Sequence, residues 1–228
     1  INTYRVIKDS VRELIDHLSA HQKRHETGRK EYFYEVRGIN PSSLSDPERA
    51  ARLIFLNRTC FNGLYRVNQK GEFNVPYGQY KNPKILDERN LRNVSRLLEN
   101  VTLETLDFED AVKNADESDF IYMDPPYRPI STTSSFTSYT ENNFDDAEQE
   151  RLRNVFSELA FRGCFVLESN SKAAQIVKMY EEDGYYIKEV MAPRAISCKG
   201  DGRQPIAELV ISNYDFDPEE PTQTILPS

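Results

Sequence analysis

Phe120-Ile121-Tyr122-Met123-Asp124-Pro125-Pro126-Tyr127 sets four apolar residues directly before an acidic, doubly prolyl turn. Residues 120–123 read as a short strand, since three of the four are aromatic or β-branched. The two prolines stiffen the turn, so Asp124 falls just past the strand's carboxyl end. Open α/β sheets place their ligands there. Runs at 101–106, 164–167 and 208–211 read as strands as well, and helical patterns at about 145–161 and 171–181 separate some of them. Such alternation predicts an α/β domain with a largely parallel sheet and helices on both faces.

The preceding half has a different texture. Val6, Ile7, Val11, Leu14, Ile15 and Leu18 recur at helical spacing and predict an amphipathic helix from 6 to about 25, ended by Gly28. His17, His21 and His25 lie four apart along one stripe of it. Such spacing suits a metal, but no Glu or Cys completes a site, and the stripe reads as a solvated polar face. Asp46-Pro47-Glu48 resembles an N-cap followed by a first-turn proline, opening a helix through Ala50, Leu53, Ile54 and Leu56. Two short alternating runs then flank Asn68 to Gly71, the pattern of a β-hairpin, and another helix is expected near 87–98. The first half is thus expected to be a helical and hairpin insertion beside the α/β domain.

Composition narrows the class. At 228 residues and 38% hydrophobic, the chain can bury a core as one large domain or one domain with a sizeable insertion. Nine Gly and 12 Pro exclude a fibrous or disordered chain. No apolar run is long enough to cross a membrane. Cys60, Cys164 and Cys198 form no CxxC pair, which argues against a disulfide framework or zinc cluster and for a reduced, cytoplasmic setting. The start, Ile1-Asn2-Thr3, carries neither a signal peptide nor an initiator Met and reads as a chain entered in mid-fold. The acidic stretch 215–220 is expected to be a solvated tail. A net charge of −8 opposes general nucleic-acid coating. Yet Arg52, Arg58, Arg66, Lys70, Lys81 and Lys84 face Glu72 alone between positions 52 and 84, coinciding with the hairpin. Phosphate and base contact fits that local excess better than a merely solvated face.

The acidic turn has a chemistry of its own. An aromatic amine is a poor nucleophile because its lone pair is delocalised into the ring. A carboxylate oxygen of Asp124 and a peptide carbonyl of the turn can each accept one of its N–H hydrogens. Those bonds would aim the lone pair at an incoming methyl group and stabilise the charge that builds on nitrogen. Tyr127 offers a flat face for stacking, and a target inside a duplex must be flipped out to be reached. The tetrapeptide alone also fits a plain rigid turn, and it does not distinguish DNA, RNA or a protein amide as acceptor.

Together, residues 61–80 and Asp124-Pro125-Pro126-Tyr127 strongly resemble the Dam-type (D12 class) DNA adenine-N6 methyltransferases, which include GATC-specific enzymes of bacteria, phages and restriction–modification systems. The resemblance extends through residues 128–139 and Arg194-Ala195-Ile196-Ser197-Cys198-Lys199-Gly200, covering nearly the whole chain. It implies a Rossmann-like methyltransferase sheet with an inserted helical and β-hairpin target-recognition domain. The implied divisions are 1–25, a helix of the catalytic domain; 26–100, recognition; 101–214, catalysis; and 215–228, the tail. The implied methyl donor is S-adenosylmethionine, with no metal, double-stranded DNA as partner and a monomeric enzyme. Asp124, Pro125, Pro126 and Tyr127 would be catalytic, and Asp107, Phe108 and Asp124 would hold the donor.

On the DNA side, the resemblance implies that Phe61 wedges into the duplex near the displaced partner base. Asn62, Leu64, Arg66, Pro76 and Tyr80 match positions lining the target bases. Arg66, whose fork bonds O6 and N7 together, is the natural guanine reader, while Leu64 and Pro76 suit a thymine methyl. Gln79 stands where relatives often carry Arg. The family begins with a Lys-containing segment, a Gly-rich turn and an acid holding the donor's ribose. Ile1-Asn2 match the residues just after that acid, so the N-terminal cofactor-binding segment is expected to be missing from this sequence. Residues 128–143, rich in Ser and Thr, are expected to form a mobile loop that closes over the flipped base.

Overall fold

The computed structural model of the chain describes residues 1–129, 144–192 and 206–215. Most of the expected closing loop (130–143), the 194–200 motif with Cys198, and the tail beyond Asp215 lie outside these residues. The chain divides into two compact units, Ile1–Thr105 and Leu106 onward.

The first unit is built on helices α1 (Asn2–Asp9), α2 (Val11–Gly38), α3 (Asp46–Thr59) and α4 (Glu88–Leu98). The apolar stripe that predicts the first helix is shared by two, with Ser10 between them. Gly28 does not end the segment. Arg29 takes a positive φ of 32° there, and the helix resumes so that Tyr32, Phe33 and Val36 join the core. Leu14, Leu18, Phe33, Phe55 and Leu56 are fully buried between α2 and α3. The cap of α3 is Ser45, one residue before the expected Asp46. Its hydroxyl and the Glu48 carboxylate close a reciprocal capping box worth about 1 kcal/mol.

The histidine stripe differs from its sequence reading. His21 stacks on Phe55 with ring centroids 4.8 Å apart, its Nδ1 lies 2.6 Å from the Tyr32 hydroxyl, and His25 is buried. The solvated face does not exist, since His17 and His21 are half-buried and His25 is buried, with Phe55 and Tyr32 reaching across from neighbouring segments. Burial, with some repulsion from His17 and Arg24, pushes the His21 imidazole down to about 4. Arg52 likewise leaves the basic surface: it is buried, and its guanidinium donates to the carbonyls of Val36 and Arg37 at the end of α2.

Residues 101–106 do not form the expected strand. Two of their carbonyls accept from side chains of α1, Lys8 at 2.7 Å on Val101 and Arg5 at 3.0 Å on Leu103, and all of the segment but Leu103 is exposed to solvent. The hairpin is looser than a regular one, with isolated bridges Cys60↔Tyr77 and Val67↔Phe73. Asn68 organises its tip, its Oδ1 accepting from the N–H groups of Lys70 and Glu72. At its base, a Cβ on Gly78 would lie 2.5 Å from the Cys60 carbonyl, so only glycine permits that approach.

The second unit runs α5 (Phe108–Val112), β1 (Phe120–Met123), α6 (Asp146–Phe161), β2 (Phe165–Ser171), α7 (Ala174–Glu181), β3 (Tyr186–Ala192) and β4 (Ile206–Ser212). The sheet order is β1-β2-β4-β3. Only β1 and β2 are parallel, in the register Phe120↔Phe165 to Met123↔Glu168. β4 is antiparallel to both neighbours, which corrects the largely parallel expectation. β3 escaped the sequence reading because Lys188-Glu189 interrupts its apolar pattern and, at the sheet edge, most of its side chains are only partly covered. α6 and α7 meet each other through Phe156 and Tyr180, and cover one face through Leu152, Phe156, Leu159 and Ile176. The opposite face carries exposed Phe120, Tyr122 and Phe165, so among the described residues the helices do not flank both sides. No group of three metal-ligating side chains converges among the described residues.

Because the folded His21 resists a proton that the unfolded chain accepts near 6.5, stability is full above that pH and is lost as pH falls toward 4. His21→Gln should therefore show a smaller drop in thermal midpoint between pH 7 and pH 5 than the unaltered chain, whatever its absolute stability, as read by circular dichroism melts.

Candidate active site

The parallel register brings Met123 level with Glu168, so the turn after β1 runs beside the last residues of β2. Those residues hold it in sequence. Ser169 Oγ donates to Asp124 Oδ1 at 2.8 Å and accepts from the Tyr122 hydroxyl at 3.0 Å. Ser171 Oγ donates to the Arg128 carbonyl at 2.6 Å, and the Arg128 guanidinium spans both carboxylate oxygens of Asp146. Gln149, on the buried side of α6, donates from Nε2 to the Pro126 carbonyl at 3.1 Å. The Tyr127 hydroxyl donates to Glu208 Oε2 at 3.3 Å. Burial, together with the Glu208 and Asp124 carboxylates, holds the Tyr127 phenol above its ordinary value and hence neutral.

This leaves a defined set of open acceptors. Asp124 is exposed, and among the described residues its Oδ2 and the Pro125 carbonyl meet no donor, whereas the Pro126 carbonyl is occupied. A carboxylate oxygen and a peptide carbonyl on one rigid turn can together accept both hydrogens of an amino group.

Behind the turn lies a buried polar chain. Glu168, fully buried, receives the Tyr180 hydroxyl at 2.5 Å on Oε2 and Asn170 Nδ2 at 2.9 Å on Oε1. Asn170 Nδ2 also donates to Gln149 Oε1 at 3.1 Å, and Gln149 passes the chain to Pro126. Burial pushes the Glu168 carboxyl up to about 7 against the pull of those two donors, and raises the Tyr180 phenol as well.

Asp107 and Phe108 open α5. Asp107 caps that helix through Glu109 N at 3.0 Å, and its Oδ1 also pairs with Arg151. Arg151 sits 4.0 Å over the Phe108 ring and bridges Glu109 and Glu148 too. The Arg151 hydrogen bond, then the cap, holds the Asp107 carboxyl below its usual range. An exposed carboxylate beside an aromatic ring could accept from the exocyclic amine of a purine.

In the first unit, the ribbon places Phe61 beside Pro76, the Phe61 N–H donating to the Pro76 carbonyl at 2.8 Å, with the Phe61 ring exposed. Asn62 takes a positive φ of 54° in a turn tied by Asn57 Nδ2 to the Gly63 carbonyl. Arg66 is exposed and held by Asn74, Nε donating to Oδ1 at 2.7 Å. Tyr80 is exposed, whereas Leu64 turns partly into the core. Gln149, Asn74, Arg151 and the Ser169-Asn170-Ser171 run were missed from sequence. The run did carry a signal, since it extends the apolar strand 164–167 with polar residues that remain buried.

A family model described as D12 class N6 adenine-specific DNA methyltransferase matches residues 1–196. The type II methyltransferase M.MjaIII of Methanocaldococcus jannaschii is 49% identical over 220 residues, covering 92% of this chain and 75% of the relative. The type II methyltransferase M1.LlaDCHI of Lactococcus lactis subsp. cremoris is 42% identical, covering 94% and 76%. A DNA adenine methylase of Vibrio cholerae is 34% identical, covering 92% and 75%. With a proline-stiffened acceptor turn at the end of β1 and a match over most of its length, the chain belongs to the D12 class of N6 adenine-specific DNA methyltransferases.

Proposed function

We propose that the protein methylates the N6 amine of a flipped-out adenine in duplex DNA, within the sequence GATC, using S-adenosylmethionine as donor and acting as a monomer. The observation that carries this reading is the Asp124 carboxylate, fixed through Oδ1 by Ser169 with Oδ2 left open beside the Pro125 carbonyl. Asp124 Oδ2 and Pro125 O accept the two amine hydrogens, which draws the nitrogen lone pair out of conjugation and offsets the charge that forms on it. Tyr127, neutral and anchored by Glu208, stacks against the base. S-adenosylmethionine, when bound, would supply an electrophilic methyl on a sulfonium, with Asp107, Phe108 and Asp124 as the residues that would hold it. The N–C bond would form as the S–C bond breaks, the neutral thioether S-adenosylhomocysteine would leave, and the amine proton would pass to solvent.

Residues 26–100 serve recognition. Arg66 reads guanine from the major groove, Phe61 fills the gap left by the flipped base, and Asn62, Leu64, Pro76 and Tyr80 line the neighbouring bases. The exposure of Phe61, Arg66 and Tyr80 supports this assignment. Asn74 keeps the Arg66 guanidinium extended along the ribbon before DNA arrives.

Two substitutions separate chemistry from reading. Asp124→Ala should slow single-turnover methylation roughly a hundredfold or more while duplex affinity stays nearly unchanged. Arg66→Ala should cost about 1–3 kcal/mol of discrimination at one base pair, with turnover retained on altered sites. Near-normal turnover by Asp124→Ala would reduce the turn to scaffolding. Equal weakening on all sequences by Arg66→Ala would make Arg66 a phosphate contact instead.

A further inference from the structure

We propose that Gln149 and Asn170 are positioning residues for methyl transfer, forming a buried lock that fixes the Pro126 carbonyl inward and so presents Asp124 and the Pro125 carbonyl to the target amine. This role rests on the proposed methylation of an adenine amine at that turn.

Each joint from Pro126 to Asn170 has one workable polarity. The Pro126 carbonyl can only accept, so Gln149 must turn its NH2 toward it, which points Oε1 back at β2. There the Asn170 NH2 meets it at 3.1 Å with one hydrogen and uses the other on Glu168 at 2.9 Å. Asn170 Oδ1 is consumed by the Ser171 N–H at 2.8 Å, which blocks a flipped amide. Glu168 is held in turn by Tyr180. Gln149, Glu168 and Asn170 are all buried, so water cannot substitute for a lost partner without entering the core. The lock reaches the turn at Pro126, one residue from the open Pro125 carbonyl and two from Asp124.

Proline rings fix φ at 125 and 126, and Pro126 confines ψ of Pro125 to the extended range, whereas ψ of Pro126 stays free. The Pro125 carbonyl is therefore fixed relative to the turn, but the direction of the Pro126 carbonyl, and with it how the turn seats beside β2, is not set by sequence. It is set from outside, on the Pro126 side by Gln149 and on the Asp124 side by Ser169. A displacement of about 1 Å at an acceptor costs on the order of a hundredfold in rate. Loss of the lock should thus act on the chemical step and spare binding.

The test uses the full protein and a GATC duplex. Gln149→Met keeps the side chain's length and apolar packing but removes both bonds; Gln149→Glu keeps its shape and removes the donor. Each should lower kcat about ten- to a hundredfold, with KM for both substrates and duplex Kd within about threefold and a thermal midpoint well above the assay temperature. Asn170→Ala should lower kcat similarly alone and add nothing in the Gln149→Met background, because the two residues act in series. If Asn170→Ala does not fold, the two Gln149 variants decide. A folded Gln149 variant with kcat within twofold of the parent, or an effect confined to KM, overturns the lock while leaving the functional reading intact. A parent protein that forms no N6-methyladenine overturns both.

Discussion

The parallel pairing of β1 with β2 is the constraint on which the second unit depends. Its register sets Met123 against Glu168, so everything after Asp124 must run alongside Ser169, Asn170 and Ser171. These residues remain buried although the apolar part of the strand ends at Leu167. Buried hydroxyls and amides need partners, and the turn supplies them: a carboxylate oxygen, a chain to the Pro126 carbonyl, and the Arg128 carbonyl. The demand of β2 for partners and the turn's need for fixed geometry satisfy each other. A one-residue slip would exchange the faces on which Ser169 and Asn170 stand, and both holds would be lost.

Occupying some acceptors defines the others. Ser169 takes one Asp124 oxygen and Gln149 takes the Pro126 carbonyl, which leaves Oδ2 and the Pro125 carbonyl open among the described residues. Tyr127 is likewise turned to a task by its hydrogen bond to Glu208 on β4, the strand inserted antiparallel between β2 and β3. The ribbon 61–80 follows the same logic on a smaller scale. Gly78 permits the close backbone approach to Cys60, Asn57 ties the turn at Gly63, and Asn74 holds Arg66, so exposed side chains stand on a backbone with few regular ladder bonds.

Much of this was legible in the sequence where local chemistry decides structure. Asp124-Pro125-Pro126-Tyr127 announced its place at a strand end because prolines cannot continue a ladder, and β1, α4, α6 and α7 lie close to their expected positions. What local pattern does not carry was missed. Strand direction depends on connections, so the antiparallel β4 was not foreseen, and β3 was hidden by an edge composition broken by Lys188-Glu189. Residues 101–106 have strand propensity, but side chains of α1 hold the Val101 and Leu103 carbonyls instead of a neighbouring strand. His21 and Arg52 look solvent-facing by residue type, yet each is enclosed by partners far along the chain. The Gln149–Asn170–Glu168 chain joins residues 21 and 2 positions apart, and only the α6-to-β2 packing reveals it.

The central claim is that the open acceptor pair on the turn after β1 serves the N6 amine of adenine in duplex DNA. It is tested most directly by incubating the protein with methyl-labelled S-adenosylmethionine and, in parallel, GATC-containing duplex DNA, matched RNA and protein, then identifying labelled products by mass spectrometry. Label is expected only in the DNA, as N6-methyladenine at GATC. Label on cytosine, on RNA or on a glutamine amide, with none on DNA adenine, would contradict it.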